Sequence, residues 1–354
     1  MYSTKRATSQ EVAARAGVSR TTVSFVLNGV VGMNISEATR VKVLAVAEEL
    51  GYVPNAAARM LVSGQTHTIG LVVSQAEHLQ VDAFIPQILY ALSSYSQEAG
   101  YRVLLETVKD VGKPDAYSHL IKGHHIDGLI IINSRSDDAQ LPELIRRNYP
   151  LVLMGFPDWT ESSGRVHRVT TDGVGSAKLA TQHLIGLGHR RIAHITFSPE
   201  IYFATQDRHK GYRLALEEAG LEYDQKLVVR GNYSAESGFV AMQQLLKARH
   251  KPTAVFVGND TVAVGVMAAI HQAGLRIPED MAVVGYDDIP TAAYLSPALT
   301  TIRLSALEHG QKSIAMLQKL IRGENVIEDN IKCGSELVIR ASCGYKTRQA
   351  DVGL

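Results

Sequence analysis

The chain of 354 residues is expected to combine an N-terminal all-α helix-turn-helix headpiece with a two-lobed α/β domain built on parallel sheets. Three observations predict this. The length exceeds one core of about 100–200 residues, so a small domain beside a larger bilobed one is the natural arrangement. The first 50 or so residues carry helix period and cap residues without strand alternation. From His67 onward, continuous apolar runs alternate with amphipathic stretches in two successive series, the signature of parallel sheets covered on both faces.

In chain order, Thr8 with Glu11 three residues later is a capping box, and Val12, Ala13 and Ala16 then share one apolar face. Gly17 ends that helix, Val18 is placed to bury in the turn, and Ser19 is an N-cap for a second helix from about Arg20 to Leu27. Two short helices joined by a Gly-containing turn make a helix-turn-helix. Val23, Val26 and Leu27 recur at core spacing, which leaves Arg20, Thr21 and Ser24 on the opposite face, towards its N-terminal end. That end enters the major groove in this motif, where arginine reads guanine and short hydroxyl side chains approach base edges. The competing reading is a small helical domain whose Thr21, Thr22 and Ser24 are simply exposed.

A third helix follows GVVGMN, with Ser36 as N-cap, Glu37 in its first turn, and Val41, Leu44, Ala45, Glu48 and Leu50 running to the stop at Gly51. Residues 51–65, GYVPNAAARMLVSGQ, place Pro54 at a helix start before an alanine-rich stretch from Asn55 to Leu61, too short to hold a helix alone. It is either a frayed linker or a helix formed only with DNA and a second copy.

Charge agrees with a polyanion partner for the head. The first 60 residues hold seven Lys or Arg against four acids, leaving +3 there and −2 on the rest of a chain whose net charge is +1. The sequence has no apolar run of 18 residues and no hydrophobic secretory segment at its amino terminus, so neither a membrane span nor export is expected. Cys333 and Cys343 give neither a metal cluster nor a disulfide framework and fit a reducing cytoplasm. His124 and His125 lie in a helix-to-strand turn without nearby ligands, and His183 and His189 read as cap or surface residues. No phosphate-cradling glycine loop occurs, and GVGS at 173–176 lacks the spacing and downstream acid of a dinucleotide fingerprint. No enzyme, no metal and no cofactor are therefore expected. The rival to a DNA-binding protein is a solute-binding protein, which would share the body but need a secretory signal and no head.

The expected body alternates strand 66–74, helix 84–99, strand 101–107, helix near 115–123, strand 126–132, helix near 139–147 and strand 150–155. A second series runs through helix 174–186, RIAHITF, helix 208–219, KLVVRG, helix 234–248, AVFVG, helix 260–273 and MAVVGYD. Ligands in open α/β sheets bind outside the carboxyl ends of strands, here Ser74, Asn133, Phe156, Ser198, Asn259 with Asp260, and Asp287 with Asp288. A cleft lined from both lobes is the expected site for a small polar solute.

The chain resembles the lac and galactose repressor family of bacterial transcription regulators. EVAARAGVSRTTVSFVLNG, TRVKVLAVAEELGYVPNAAARML, HTIGLVV, HLIGLGHRRIAHI, DRHKGYRLALEEAGL, PTAVFVGNDTVAVGVMAAIHQAGLRIPEDMAVVGYDDIP and LSPALTTIRLS carry the resemblance, in family order over nearly the whole chain. It implies a periplasmic-binding-protein-like body and a homodimer on a pseudo-palindromic operator DNA duplex. It further implies repression changed by a small-molecule effector, a carbohydrate or sugar acid, and a cytoplasmic, nucleoid-associated location. Arg20 and Thr21 look like the principal base-reading positions, with Ser19, Thr22, Ser24 and Asn28 as supporting contacts. Family members commonly have arginine where this chain has Phe25, which cannot donate a hydrogen bond and either touches a thymine methyl or packs inward. Leu61 resembles the leucine that wedges a central base step, with Ala57 and Ala58 permitting close approach of two hinge helices. The competing role for Leu61 is packing against the first strand of the body.

For the effector the resemblance picks Arg208 as a clamp on hydroxyls or a carboxylate, Asn259 as the cleft asparagine and Asp287 as an acceptor of sugar hydroxyls. Each has a structural alternative: Asn259 and Asp260 as caps of the following helix, Asp288 as a turn cap before Pro290, and Arg208 paired with Asp207 on the surface. The first lobe departs from relatives, with SQAEHLQVDAFIPQ in place of an Asn-Pro-Phe-Phe-like run. There Phe84 is either a stacking face or core, and Asp82 is a candidate cap. The single tryptophan, Trp159, either covers the cleft or packs on a lobe surface.

The expected boundaries are a head over 1–52, a hinge segment over 53–65, a body over 66–345 and a tail over 346–354. The resemblance implies the lobe bounds: lobe 1 takes 66–170 and 301–330 and lobe 2 takes 171–300 and 331–345, with a helix over 304–322 closing lobe 1 and three crossings forming a hinge. The residues after the last strand, KTRQADVGL among them, carry no apolar heptads, which argues against a coiled-coil tetramerisation helix.

Overall fold

The computed structural model describes residues 7–27, 34–53, 60, 64–108, 111–113, 115–155 and 165–345. Asn28, Ala57, Ala58, Leu61, Phe156 and Trp159, all singled out above, lie outside the described residues. The chain divides into two compact units between Thr66 and His67.

In the first unit, α1 (Ser9–Ala16), α2 (Arg20–Leu27) and α3 (Glu37–Glu49) enclose a core of Val12, Ala13, Ala16, Val23, Val26, Val43 and Ala47. The capping box closes as its spacing requires: the Thr8 amide donates to Glu11 Oε2 at 2.7 Å and the Glu11 amide to Thr8 Oγ1 at 3.3 Å. Gly17, at φ 69°, turns the chain in the left-handed region, where a β-carbon is costly. Ser19 Oγ accepts the Thr22 amide at 3.0 Å, and Ser36 Oγ accepts the Thr39 amide at 3.2 Å. The inward face of α3 runs through Val43 and Ala47, with Val46 half-buried, whereas Val41 and Leu44 are exposed. The helix turns on its axis so that its β-branched and small residues, not its leucine, meet α1 and α2.

In the second unit, the first series is β1 (Thr68–Val73), α4 (His78–Val81), α5 (Ile85–Glu98), β2 (Arg102–Thr107), α6 (Ser118–Lys122), β3 (Gly128–Ile132), α7 (Leu141–Arg146), β4 (Leu151–Met154) and β5 (Arg168–Thr171). The second is α8 (Gly173–Gly186), β6 (Ile192–Thr196), α9 (Phe203–Glu218), β7 (Val228–Arg230), α10 (Ala235–Leu246), β8 (Ala254–Val257), α11 (Asp260–Gln272), β9 (Ala282–Asp287) and β10 (Thr300–Leu304). The chain ends through α12 (Ala306–Ile321), β11 (Asn330–Cys333) and β12 (Ser335–Val338).

Two six-stranded sheets result, ordered β11-β5-β4-β3-β1-β2 and β12-β10-β9-β8-β6-β7. The first is parallel throughout; the second carries β12 antiparallel to β10 at its edge, the usual place for such a strand in an otherwise parallel sheet. β1, β3, β4, β6, β8 and β9 are buried along their whole length apart from half-buried Thr68, which is why they read as unbroken apolar runs. Gly265 lets α11 approach α10: a β-carbon there would fall onto the carbonyl oxygen of Ala235, a backbone atom that cannot yield.

The chain passes from the first sheet to the second after Thr171, returns after Leu304, and passes again after Cys333. The later two crossings fall after those expected near 300 and 331. β10 stays with the second sheet and β11 pairs with β5 in the first, because Ile302 and Thr301 find their partners on β9 and Ile331 on β5. β5, with the polar sequence RVTT, is a strand that periodicity does not reveal, and α9 starts five residues before the expected 208.

Candidate functional site

On α2 the side chains divide by face. Val23 and Val26 are buried, while Arg20, Thr21 and Ser24 are exposed together on the other side. Ser19 is committed to the cap, and Thr22, half-buried, meets it through an Oγ1···Oγ contact of 2.9 Å. These two hold the first turn in shape; Arg20, Thr21 and Ser24 present the exposed surface. Phe25 is half-buried and stands outside the core cluster of the unit, so among the described residues it adds an apolar flank to that surface.

In the second unit a cavity of about 390 Å³ opens between the lobes at the carboxyl ends of the strands. Phe84, Arg208 and Asp287 line it; Asn259 does not. Arg208 turns inward and does not form the expected surface pair with Asp207, which itself lines the cavity: its guanidinium stacks on the rings of Phe197 and Tyr286, 4.3 and 3.7 Å from their centroids. One nitrogen donates to the Gly258 carbonyl, and the other approaches Asp287 Oδ1 at 3.5 Å. Burial drives the Asp287 carboxyl well above its usual range, against the pull of Arg208; Asp82 and Asp260 push it the same way as burial. The backbone of Asp287 sits at φ 112°, strain that a side chain other than glycine rarely carries.

Asn259 acts as cap and as link. Its Oδ1 accepts the Val262 amide at 2.9 Å, and its Nδ2 donates across to Asp82 Oδ2 on the other lobe at 2.9 Å. Asp82 in turn accepts the Phe84 and Ile85 amides through Oδ1, at 2.8 and 2.9 Å, so it starts α5 and joins the lobes together. Burial raises its carboxyl above the ordinary value, opposed by these donors and by Arg208. Asp260 Oδ2 accepts the Ile289 amide (3.0 Å) and its Oδ1 the Thr301 hydroxyl (2.6 Å); burial pushes it up to about 7. Asp288 is held by Arg303 and Arg340 at 2.6 and 2.7 Å.

Further contacts close the lobes beside the cavity. The Ala83 amide donates to Thr261 Oγ1 at 3.1 Å, Tyr202 donates its hydroxyl to Gln75 Oε1 at 2.7 Å, and the Ser136 amide donates to the Ile201 carbonyl at 2.9 Å. His78 stacks on Tyr233 with centroids 3.5 Å apart, and burial pushes its imidazole down to about 4. Phe84 packs against core residues of both lobes.

Sequence reasoning missed Phe197, Tyr233 and Tyr286, although the rule that points to strand ends runs through two of them. It also missed Thr170, Thr171, Asp172, His309, Asn330 and Lys332, which reach the cavity on or beside β5, α12 and β11. No local pattern marks them, since crossing strands bring them together. Two of the histidines named above have structural roles: His183 lies against Cys343 Sγ at 3.2 Å, and His189 against Thr253 Oγ1 at 2.9 Å. Among the described residues no group of His, Cys, Asp and Glu is placed to hold a metal ion, and no helix is long and apolar enough to cross a membrane.

Comparison with known proteins gives two family matches, to bacterial regulatory proteins of the lacI family over residues 8–55 and to a periplasmic binding protein-like domain over residues 181–343. The regulator CelR of Thermobifida fusca is 36% identical over 340 residues, covering 96% of this chain and 98% of its own. The ribose operon repressor of Escherichia coli (strain K12) is 36% identical over 337 residues, covering 95% and 99%. Among solved structures, a lac repressor dimer bound to operator and the anti-inducer ONPF superposes with TM-score 0.85 at 32% identity, over 96% of this chain and 99% of that one. A CelR–cellobiose complex superposes with TM-score 0.73 at 34% identity, over 95% and 100%. The match over residues 8–55 sets aside a solute-binding protein without a head. With this head, this cleft and these relatives over nearly its whole length, the chain belongs to the lacI family of bacterial regulatory proteins and is a sequence-specific DNA-binding regulator with an effector-binding body.

Proposed function

We propose that the protein is a cytoplasmic repressor that binds a pseudo-palindromic operator as a homodimer and releases or tightens its grip when a small carbohydrate or sugar acid occupies the interlobe cleft. The observation that carries the DNA half is the face of α2. Its two valines are buried, and Arg20, Thr21 and Ser24 stand exposed together at the end of the helix that reaches base edges in this motif. Ser19, Thr22 and Asn28 support that contact; Ala57, Ala58 and Leu61 serve as the minor-groove element.

The effector half rests on the cavity and on Arg208, Asp287 and Phe84 in its wall, with Asn259 acting through Asp82. A relative of known structure holds cellobiose, and another relative represses a ribose operon. An effector changes DNA affinity only through its different affinity for two lobe arrangements. The three strand crossings and the bonds of Asp82, Ala83 and Tyr202 between lobes are the parts that such a change would rearrange.

Dimerisation is supported by an exposed apolar groove on lobe 1, formed by Pro86, Gln87, Tyr90, Ala306 and Leu307 where α5 packs beside α12. Tyr90 and Leu307 are 68% and 53% exposed, an apolar pair that a second copy of the same face would cover.

Fluorescence anisotropy with duplex fragments from upstream of the protein's own gene tests the reading. One fragment is expected to bind saturably in excess competitor DNA. Arg20→Ala is expected to remove about 1–3 kcal/mol of its preference while leaving non-specific binding nearly intact. A wild-type protein that prefers no fragment overturns the operator reading.

A further inference from the structure

We infer that the cleft is built for an uncharged, hydroxyl-rich ligand and turns anionic ones away, so that of the two carbohydrate classes proposed above the neutral one is the effector. This rests on the carbohydrate reading and narrows it.

Four carboxylates from four different elements line the cavity: Asp82 ahead of α5, Asp172 ahead of α8, Asp207 within α9 and Asp287 at the end of β9. The two that reach the floor, Asp82 and Asp287, are 6% and 4% exposed. Arg208 is the buried cation of the lining among the described residues, and its guanidinium is already enclosed. Phe197 and Tyr286 cover it, and its nitrogens face the Gly258 carbonyl and Asp287. It answers a charge the protein itself supplies.

His309 adds no positive charge. Its Nδ1 lies 2.8 Å from the Ser305 carbonyl oxygen and so donates there, which leaves Nε2 to accept the Thr171 hydroxyl at 2.9 Å. Burial keeps it below its usual value, hence neutral near pH 7. The other two cations of the lining, Lys210 and Lys332, are on exposed positions at the rim, where water and salt screen them.

A carboxylate or phosphate seated on this floor would give up its hydration and face the carboxyls of Asp82 and Asp287, with no further buried cation of the lining opposite among the described residues. A hydroxyl gives up less and gains a charge-assisted hydrogen bond to the same oxygens. Burial holds the Asp82 and Asp287 carboxyls above the ordinary range, and Asp82 is among the groups that push Asp287 further up. Phe84 and the ring of Tyr233, whose one face is covered by His78, supply apolar surface for the C–H face of a sugar ring.

The test is calorimetric titration of the full-length protein near neutral pH with matched pairs: ribose and ribose 5-phosphate, glucose and glucuronate, cellobiose and cellobionate. For any pair that binds, the neutral member is expected to bind at least tenfold more tightly. Asp287→Asn, which keeps the shape and removes the charge, is expected to narrow that gap by improving the acidic member relative to the neutral one. An acidic or phosphorylated member that binds as well as its neutral partner overturns this inference and leaves the carbohydrate reading standing. Failure of every member, neutral and acidic, to bind or to shift operator affinity overturns the carbohydrate reading and this inference with it.

Discussion

Replacing Asn259 separates its two jobs, because aspartate and alanine fail in different ways. In Asn259→Ala the cap of α11 is lost, about 1 kcal/mol, and the buried Asp82 carboxylate loses a donor, about 1–3 kcal/mol; the donor and acceptor distances are both 2.9 Å. The sum, about 2–4 kcal/mol, corresponds to a fall in Tm of about 4–8 °C for a body of this size, taking about 2 °C per kcal/mol. Asn259→Asp keeps a cap acceptor of equal quality but sets a second carboxylate against Asp82. At about 4 Å and an effective dielectric near 20, two full charges repel by about 4 kcal/mol, so the pair must hold a proton or the lobes must part. Asp82 already has its carboxyl raised in the folded protein. A group so raised contributes stability that is present below its unfolded value and is lost as pH rises through its folded value. The Asn259→Asp deficit is therefore expected to be largest near pH 7.5 and to shrink towards about pH 4.5, whereas the Asn259→Ala deficit, which removes a donor from the same carboxyl without adding a charge, changes in the same direction by a smaller amount. Thermal unfolding at several pH values measures the first part, and small-angle scattering at the same pH values reports lobe separation. Equal and pH-independent deficits for the two variants would refute the interlobe role of the Asp82–Asn259 pair.

Two other expectations address different parts of the molecule. Tyr90→Asp combined with Leu307→Asp places charge in the apolar groove of lobe 1 and should convert a dimer to monomers in sedimentation experiments, with far-ultraviolet dichroism unchanged; a variant that sediments as the wild type does removes this groove from the dimer face. Gly265→Ala, whose new methyl meets the Ala235 backbone, should destabilise the body by about 3 kcal/mol or more in urea unfolding, and a change below about 1 kcal/mol would mean that α10 and α11 can separate more easily than their packing implies.

The head was legible almost residue by residue. The Thr8–Glu11 box, the Gly17 turn and the Ser19 cap involve atoms no more than a few residues apart, so local chemistry decides them. The exception is α3, whose inward face at Val43 and Ala47 depends on how α1 and α2 meet it. In the body, buried strands declared themselves because both faces of each sheet are covered, and apolar side chains are then needed at every position. β5 did not, since Arg168 and Thr170 are buried and Thr171 half-buried by neighbours from distant parts of the chain: Thr170 meets Asn330 at 2.9 Å and Thr171 meets His309 at 2.9 Å.

The same division runs through the cleft. That Arg208 and Asp287 belong to it could be read from the resemblance of their surroundings to a family, and the strand-end rule pointed at the same region. That Arg208 faces Asp287 and not Asp207, and that Asn259 bonds to Asp82 behind the cavity wall, follows from residues 79 and 177 positions apart coming within hydrogen-bonding distance. Sequence alone determined which segments become helices and strands wherever the deciding interactions are local or the burial is complete. Tertiary structure decided which side chains share the cleft and what charge it holds, because those depend on long-range contacts that no short stretch of the chain contains.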